Sequence, residues 1–122
     1  MSHGGARHDP AELDAGFARA VAETMQALAT PSRLRILGRL HAGPCSVGEL
    51  AATVGMEGSA VSHQLRILRH LGLVVGRRQG RQVIYDFHDD HVGELLEQAI
   101  SHVEHLREGH SRATGRAAAV AR

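Results

Sequence analysis

Apolar residues recur every three or four positions along most of this chain of 122 residues, which predicts a mainly helical protein. Signals at the helix ends support this pattern. Thr30-Pro31 offers a hydroxyl cap followed by a proline at the first helical position. Ser46 and Glu49 match a capping box. The sequence thus predicts five helices, at about residues 10–28, 31–42, 46–54, 58–70 and 89–108.

Two short runs with β character, 73–78 and 81–87, interrupt the helical pattern. They meet at Gln79-Gly80, which predicts a β-hairpin. A helix, a turn, a second helix and then an arginine-bearing hairpin is the plan of a winged helix-turn-helix domain. We therefore expect a mainly α protein with a hairpin wing: an arm at 1–9, a folded domain at 10–108 and a flexible tail at 109–122.

The helix predicted at 58–70 is the one expected to read DNA. If Val61, Leu65 and Leu68 face the core, the polar residues of this helix face outward. Arginines also cluster around the hairpin tip and suit phosphates or a minor groove. Any one of these side chains can be an ordinary solvated residue, but the ordered set favours DNA binding. The predicted DNA contacts are Ser59, Ser62, His63, Gln64, Arg66, Arg77, Arg78 and Arg81.

Composition changes this picture in two respects. The formal net charge is only +1, so a basic surface for nucleic acid has to be local. The 43% of apolar residues include only two Phe, one Tyr and no Trp, so the core is thin and a dimer interface would help to bury it. One cysteine excludes an internal disulfide.

With no membrane-length apolar run and no signal-peptide pattern, we expect a cytosolic protein without a membrane partner.

Four candidate metal ligands lie on the last predicted helix. We call Asp89 and His91 the first ligand pair, and His102 and His105 the second ligand pair. His91 and His102 share a helix face but stand roughly 16 Å apart along the axis, too far to bind one ion together. An antiparallel second copy would bring the first pair of one chain to the second pair of the other. Each histidine alone is more often a solvent-facing residue, whereas the four together predict a site shared across a dimer.

Three segments resemble the ArsR/SmtB family of metal-responsive repressors: ALATPSRLRILGRL, SVGELAATVGMEGSAVSHQLRILRHLGLV and GRRQGRQVIYDF. The run SAVSHQLRILRHLGLV is highly specific, and the likeness extends over about residues 10–108. The resemblance implies a homodimer of winged-helix subunits whose first and last helices form the interface. It also implies a repressor that binds double-stranded operator DNA until an inducer weakens that binding.

The resemblance also indicates which inducer to expect. The stretch ELAATVG lacks the cysteines that many members use, whereas Asp89-Asp90-His91 and His102-Val103-Glu104-His105 match the ligand pattern of members with a site on the last helix. Of these, the form with a final His and an N-terminal MSHG is most similar to the family's nickel/cobalt sensor. His3 and the amine of Ser2, exposed once Met1 is removed, would then complete a site for Ni(II) or Co(II).

Other interpretations remain open on the sequence. One oxygen and three imidazole ligands also suit Zn(II), so the chain can be a zinc-responsive repressor or a repressor with a purely structural zinc site. A metalloenzyme is disfavoured because the sequence has neither an HExxH motif nor a nucleophile motif. We expect no enzymatic activity and no organic substrate.

Overall fold

The computed structural model describes residues 13–120, with side chains as far as residue 109. Within these residues the predicted fold class is confirmed, with five helices and a hairpin. The predicted arm at 1–9, with Ser2 and His3, lies outside the described residues. In chain order the elements are α1 (Ala15–Ala27), α2 (Pro31–His41), β1 (Cys45–Ser46), α3 (Val47–Val54), α4 (Gly58–His70), β2 (Val74–Gln79), β3 (Gln82–Phe87) and α5 (Asp90–Val120).

Side-chain caps set the starts of the first three helices. The Asp14 carboxylate accepts the backbone N–H of Phe17 at 2.8 Å, so α1 begins at Ala15 rather than near residue 10 as the pattern predicts. Thr30 caps α2 as expected from the sequence. The predicted capping box of α3 is also present, because Ser46 and Glu49 bind each other's backbone N–H groups. These caps satisfy N–H groups that the first helical turn leaves without partners.

The wing is part of a three-stranded antiparallel sheet in the order β1-β3-β2. Strands β2 and β3 form the predicted hairpin, and Gly80 supplies the positive φ of 65° that its turn requires. Strand β1 was not predicted. It pairs Cys45 with Tyr85 and thereby fastens the wing to the start of α3. Two residues are too few to show an alternating pattern.

The core lies between α2, α3, α4 and the base of the sheet. The predicted inner face of α4 is confirmed, since Val61, Leu65 and Leu68 are completely buried. On α2, Leu34, Leu37 and Leu40 recur at helical spacing and are expected to share the buried face, but only Leu37 and Leu40 are buried. Leu34 remains 39% exposed, so this expectation is wrong at one position, and Ile36 is buried in addition.

Helix α5 differs from the prediction in length and in packing. It continues to Val120, so the predicted helix end at Glu108 is wrong, whereas a flexible tail at 109–122 stays a prediction. Its apolar stripe divides in two: Val92 and Leu96 are buried in the chain's own core, while Val103 and Leu106 are 48% and 57% exposed. The side chains of Val92 and Leu96 are therefore not available to a partner helix.

The apolar face of α1 is also exposed in a single chain. The residues at helical spacing, Leu13, Phe17, Val21 and Met25, are each between 40% and 51% exposed. An open apolar groove of about 370 Å³ lies between α2 and α5, beside the exposed half of the α5 stripe. Among the described residues, no helix is both long and apolar enough to span a membrane.

Candidate nucleic-acid interface and metal centre

Helix α4 presents the predicted polar residues on its outer side. Ser59, His63 and Arg66 are exposed, and Ser62 is half-buried at the edge facing the wing. The burial of the opposite face fixes the helix on the core, so these side chains all project from one outer face of the domain. Their hydroxyl, imidazole and guanidinium groups can donate hydrogen bonds to phosphates and base edges.

Gln64 is half-buried beside this outer face and contacts another helix. Its Oε1 accepts a hydrogen bond of 2.6 Å from Nε of Arg33, near the start of α2. The sequence predicted Gln64 as a DNA contact and did not indicate Arg33 at all. Because the two residues are 31 positions apart in the chain, only the folded arrangement of the helices could have shown the pair.

The wing carries its three predicted arginines, and all are exposed. Residues paired across an antiparallel hairpin lie on the same face, and neighbours along a strand lie on opposite faces. Arg78 pairs with Val83, whereas Arg77 pairs with Ile84. Val83 lines an open groove of about 350 Å³ together with Ser62 of α4. Arg78 therefore shares the wing face that is turned toward α4, and Arg77 lies on the other face.

The first ligand pair is in contact at the start of α5. Oδ1 of Asp89 lies 3.3 Å from Nδ1 of His91 and accepts the backbone N–H of His91 at 2.9 Å. Oδ2 of Asp89 lies 3.4 Å from Nδ1 of His88, a neighbour that the sequence did not indicate as part of the site. The backbone hydrogen bond from His91 holds the pKa of the Asp89 carboxyl below its ordinary value. The Asp89 carboxyl is therefore anionic at neutral pH, the form that a metal ligand requires.

The imidazole of His91 is available to an ion. Its side chain is 88% exposed, and a proton on Nδ1 facing the carboxylate leaves the lone pair of Nε2 free. His105 is similar, because its Nδ1 lies 3.1 Å from the carbonyl oxygen of Ser101. A carbonyl only accepts, so that contact requires N–H at Nδ1 and again frees Nε2.

A single chain does not bring the four ligands together. His102 and His105 are exposed about three to four turns further along the continuous helix α5. At the usual helical rise, His102 is roughly 16 Å from His91. Among the described side chains, no three His, Cys, Asp or Glu residues form a group that can hold a metal ion. The donor set of one carboxylate and three imidazoles still fits Zn(II), Co(II) or Ni(II) in its chemistry.

Cys45 lies apart from this set. It is fully buried on β1, and burial raises the pKa of its thiol, which disfavours the thiolate that a metal would need.

Comparison with known proteins agrees with this geometry. Residues 30–75, which contain α2, α3 and α4, match the model of the bacterial regulatory protein arsR family. The chain is 57% identical to the HTH-type transcriptional regulator NmtR of Mycobacterium tuberculosis (strain ATCC 25618 / H37Rv), over 89% of this chain and 92% of NmtR. It is 43% identical to the transcriptional repressor SmtB homolog of Synechocystis sp. (strain ATCC 27184 / PCC 6803 / Kazusa), over 78% of this chain and 72% of that protein.

Solved structures give the same result. The solution structure of apo-NmtR superimposes with a TM-score of 0.69 and 54% identity, covering 86% of this chain and 87% of that one. The homodimeric winged helix-turn-helix DNA-binding domain of Mb0332 from Mycobacterium bovis superimposes with a TM-score of 0.71 and 31% identity, covering 84% and 94%. The resemblance noted in the sequence is thereby confirmed. The protein is a DNA-binding transcriptional repressor with a metal-sensing role and not an enzyme, and the chain belongs to the arsR family of bacterial regulatory proteins.

Proposed function

We propose that this repressor binds two-fold-symmetric operator DNA as a homodimer in the cytoplasm and is released when Ni(II) or Co(II) binds. In the dimer, the first ligand pair of one α5 helix meets the second ligand pair of the other. Each dimer then has two equivalent sites. The homodimeric Mb0332 domain supports the assembly, and the exposed apolar faces of α1 and of the outer part of α5 supply surface for it.

The observation that carries this proposal is the division of ligands along α5. Two half-sites, each too small to hold an ion alone, stand about three turns apart on one continuous helix. Two antiparallel copies of α5 complete both half-sites at once. Parallel copies would instead bring like pairs together.

An ion in these sites supplies a bond between subunits that the apo dimer lacks. If operator affinity falls when the ion binds, ion affinity has to fall by the same factor when the operator binds, because the coupling free energy is reciprocal. Nickel and cobalt favour six ligands, so two further donors are expected beside the four on α5. We propose His3 and the Ser2 amine for these positions, as in the sequence-based prediction.

The test is a titration of Ni(II), Co(II) and Zn(II) into the complex of full-length protein and operator, followed by fluorescence anisotropy. We expect Ni(II) or Co(II) to dissociate the complex. The variants His91→Ala and His102→Ala should bind operator as tightly as wild type without metal, and should lose the response. Gln98→Ala, an exposed non-ligand on the same helix, is the matched control.

Several outcomes would contradict parts of the proposal. Unchanged operator affinity with all three metals would refute metal release. A response to Zn(II) alone would establish the zinc-responsive alternative. A dimer that forms only with Zn(II) would indicate a structural zinc site. X-ray absorption of the nickel-loaded protein, with and without residues 1–8, measures the coordination number and so tests His3 and Ser2.

A further inference from the structure

Arg33 connects three helices that the proposed function requires to act together. It lies in the first turn of α2 and is half-buried. Its Nε donates to Oε1 of Gln64 on α4 at 2.6 Å, and its Nη1 donates to the carbonyl oxygen of Ala27 at 3.4 Å. Ala27 is the last residue of α1. One guanidinium therefore bridges the end of α1 and the predicted DNA-reading helix.

Both contacts have a clear physical basis. The last carbonyls of a helix have no partner within the helix and carry partial negative charge, and α1 has no basic residue in its own last turn. Arg33 supplies the missing cation from α2. The bond to Gln64 is short because the donor is charged, and such bonds are about twice as strong as neutral ones.

The bond also determines how Gln64 is oriented. An arginine Nε can only donate, so the atom of Gln64 that faces it has to be the amide oxygen. The Nε2 amino group of Gln64 is then directed away from Arg33. A glutamine held in this way offers DNA a donor, which suits guanine O6 and N7, thymine O4 or a phosphate oxygen.

We propose that Arg33 is a positioning residue for DNA recognition: it holds Gln64 so that its amino group faces the operator, and it ties that orientation to α1. The proposal rests on the proposed function, because it takes α4 as the DNA-reading helix. Arg33 acts through Gln64 and makes no base contact of its own.

A double-mutant cycle on full-length, metal-free protein tests this. Arg33→Lys keeps the charge but loses the Nε donor, and we expect it to weaken operator binding about tenfold, the effect of about one charged hydrogen bond. In a Gln64→Ala background the same substitution should cost less than about twofold, since its target is gone. Losses that add in the double variant would overturn the proposal, because Arg33 would then act independently of Gln64.

Selection from a randomised operator library separates positioning from a merely structural role. With Arg33→Lys, base preference should relax at one symmetric pair of operator positions, the same pair that Gln64→Ala relaxes. A uniform loss of affinity over all sequences would refute positioning. Arg35→Lys is the matched control, because Arg35 is an exposed arginine on the same helix, whereas the contacts to Gln64 and Ala27 come from Arg33.

Gln64→Glu gives a second test that does not depend on the folding of an Arg33 variant. It keeps an acceptor for Arg33 and removes the amino group, so thermal stability should hold while operator affinity falls at least tenfold. Unchanged affinity would refute the proposed donor. If wild type selects no operator at all, the proposed function fails together with this inference, whereas an operator-binding wild type with additive losses refutes only the inference.

Discussion

Arg78 and Arg77 form a natural pair for measuring how the wing contacts DNA. They carry the same charge at adjacent positions and lie on opposite faces of β2. Arg78 shares the face that is turned toward α4, as its partner Val83 lines the groove beside Ser62. We therefore predict that Arg78 contacts a phosphate of the operator and that Arg77 contributes less.

The magnitude follows from counterion release. Each phosphate neutralised by a protein cation contributes about 0.9 to the slope of the logarithm of affinity against the logarithm of salt concentration. Arg78→Ala removes one such contact per subunit, and hence two in the proposed dimer, so the slope should become shallower by about 1.8. If wild type and variant bind the operator equally well at about 1 M salt, this change in slope corresponds to a roughly 30-fold loss of affinity for the variant at about 0.15 M salt.

The assay is operator binding by fluorescence anisotropy at several salt concentrations, with metal-free protein. Arg77→Ala should change the slope by less than half as much as Arg78→Ala. Arg19→Ala serves as the control for net charge. It removes an exposed arginine from α1, which is remote in sequence from the residues predicted to contact DNA. Equal changes in slope for Arg77→Ala and Arg78→Ala would refute the assignment of the two arginines to opposite wing faces. An unchanged slope for Arg78→Ala would refute the predicted phosphate contact of Arg78.

The remaining predictions concern stability, measured by chemical and thermal unfolding. A Cβ added at Gly76 would lie 2.9 Å from Cγ1 of Val83, so Gly76→Ala should destabilise the wing by about 1–3 kcal/mol. A Cβ added at Gly38 in α2 would meet no atom within 4 Å apart from the backbone of its own helix, so Gly38→Ala should stabilise the protein by about 0.5–1 kcal/mol. Ser46→Ala removes the cap of α3 and should cost about 1 kcal/mol. Hydrogen bonds from the backbone and hydroxyl of Ser46 hold the pKa of Glu49 below its ordinary value, so stability present at neutral pH is lost as pH falls through that lowered pKa. Ser46→Ala keeps only the backbone hydrogen bond to Glu49, so this variant should lose less stability on acidification than wild type. An equal loss in the variant and in wild type would contradict this prediction.

The parts of the fold that sequence predicted best are those governed by local rules. The inner face of α4 follows from helical periodicity, and the starts of α2 and α3 follow from their caps. The hairpin follows from alternation around a glycine turn. In each case the residues that decide the structure are only a few positions apart, so the pattern is present in a short window of the chain.

The parts that sequence missed depend on tertiary packing. Strand β1 exists because β3 lies beside Cys45, about 40 positions later in the chain. The exposure of Leu34 reflects an open groove against α5 rather than a fault in the periodicity of α2. Arg33 and Gln64 meet only after α2 and α4 have packed. The candidate ligands were predicted from the sequence and stay a prediction, but only the structure shows that Asp89 already contacts His88 and His91.

The unequal packing of α5 bears on how an ion bound far from DNA can weaken DNA binding. Val92 and Leu96 fix the first turns of this helix in the core, so the first ligand pair moves with the winged unit, while the second ligand pair stands on the exposed half. Allosteric coupling free energies are about 1–3 kcal/mol, whereas losing a buried leucine costs about 2–5 kcal/mol. A coupling of that size in the proposed dimer is therefore too small to open this core. We therefore expect the metal to change operator affinity by shifting one intact winged unit relative to the other, which would alter the spacing of the two α4 helices on the operator.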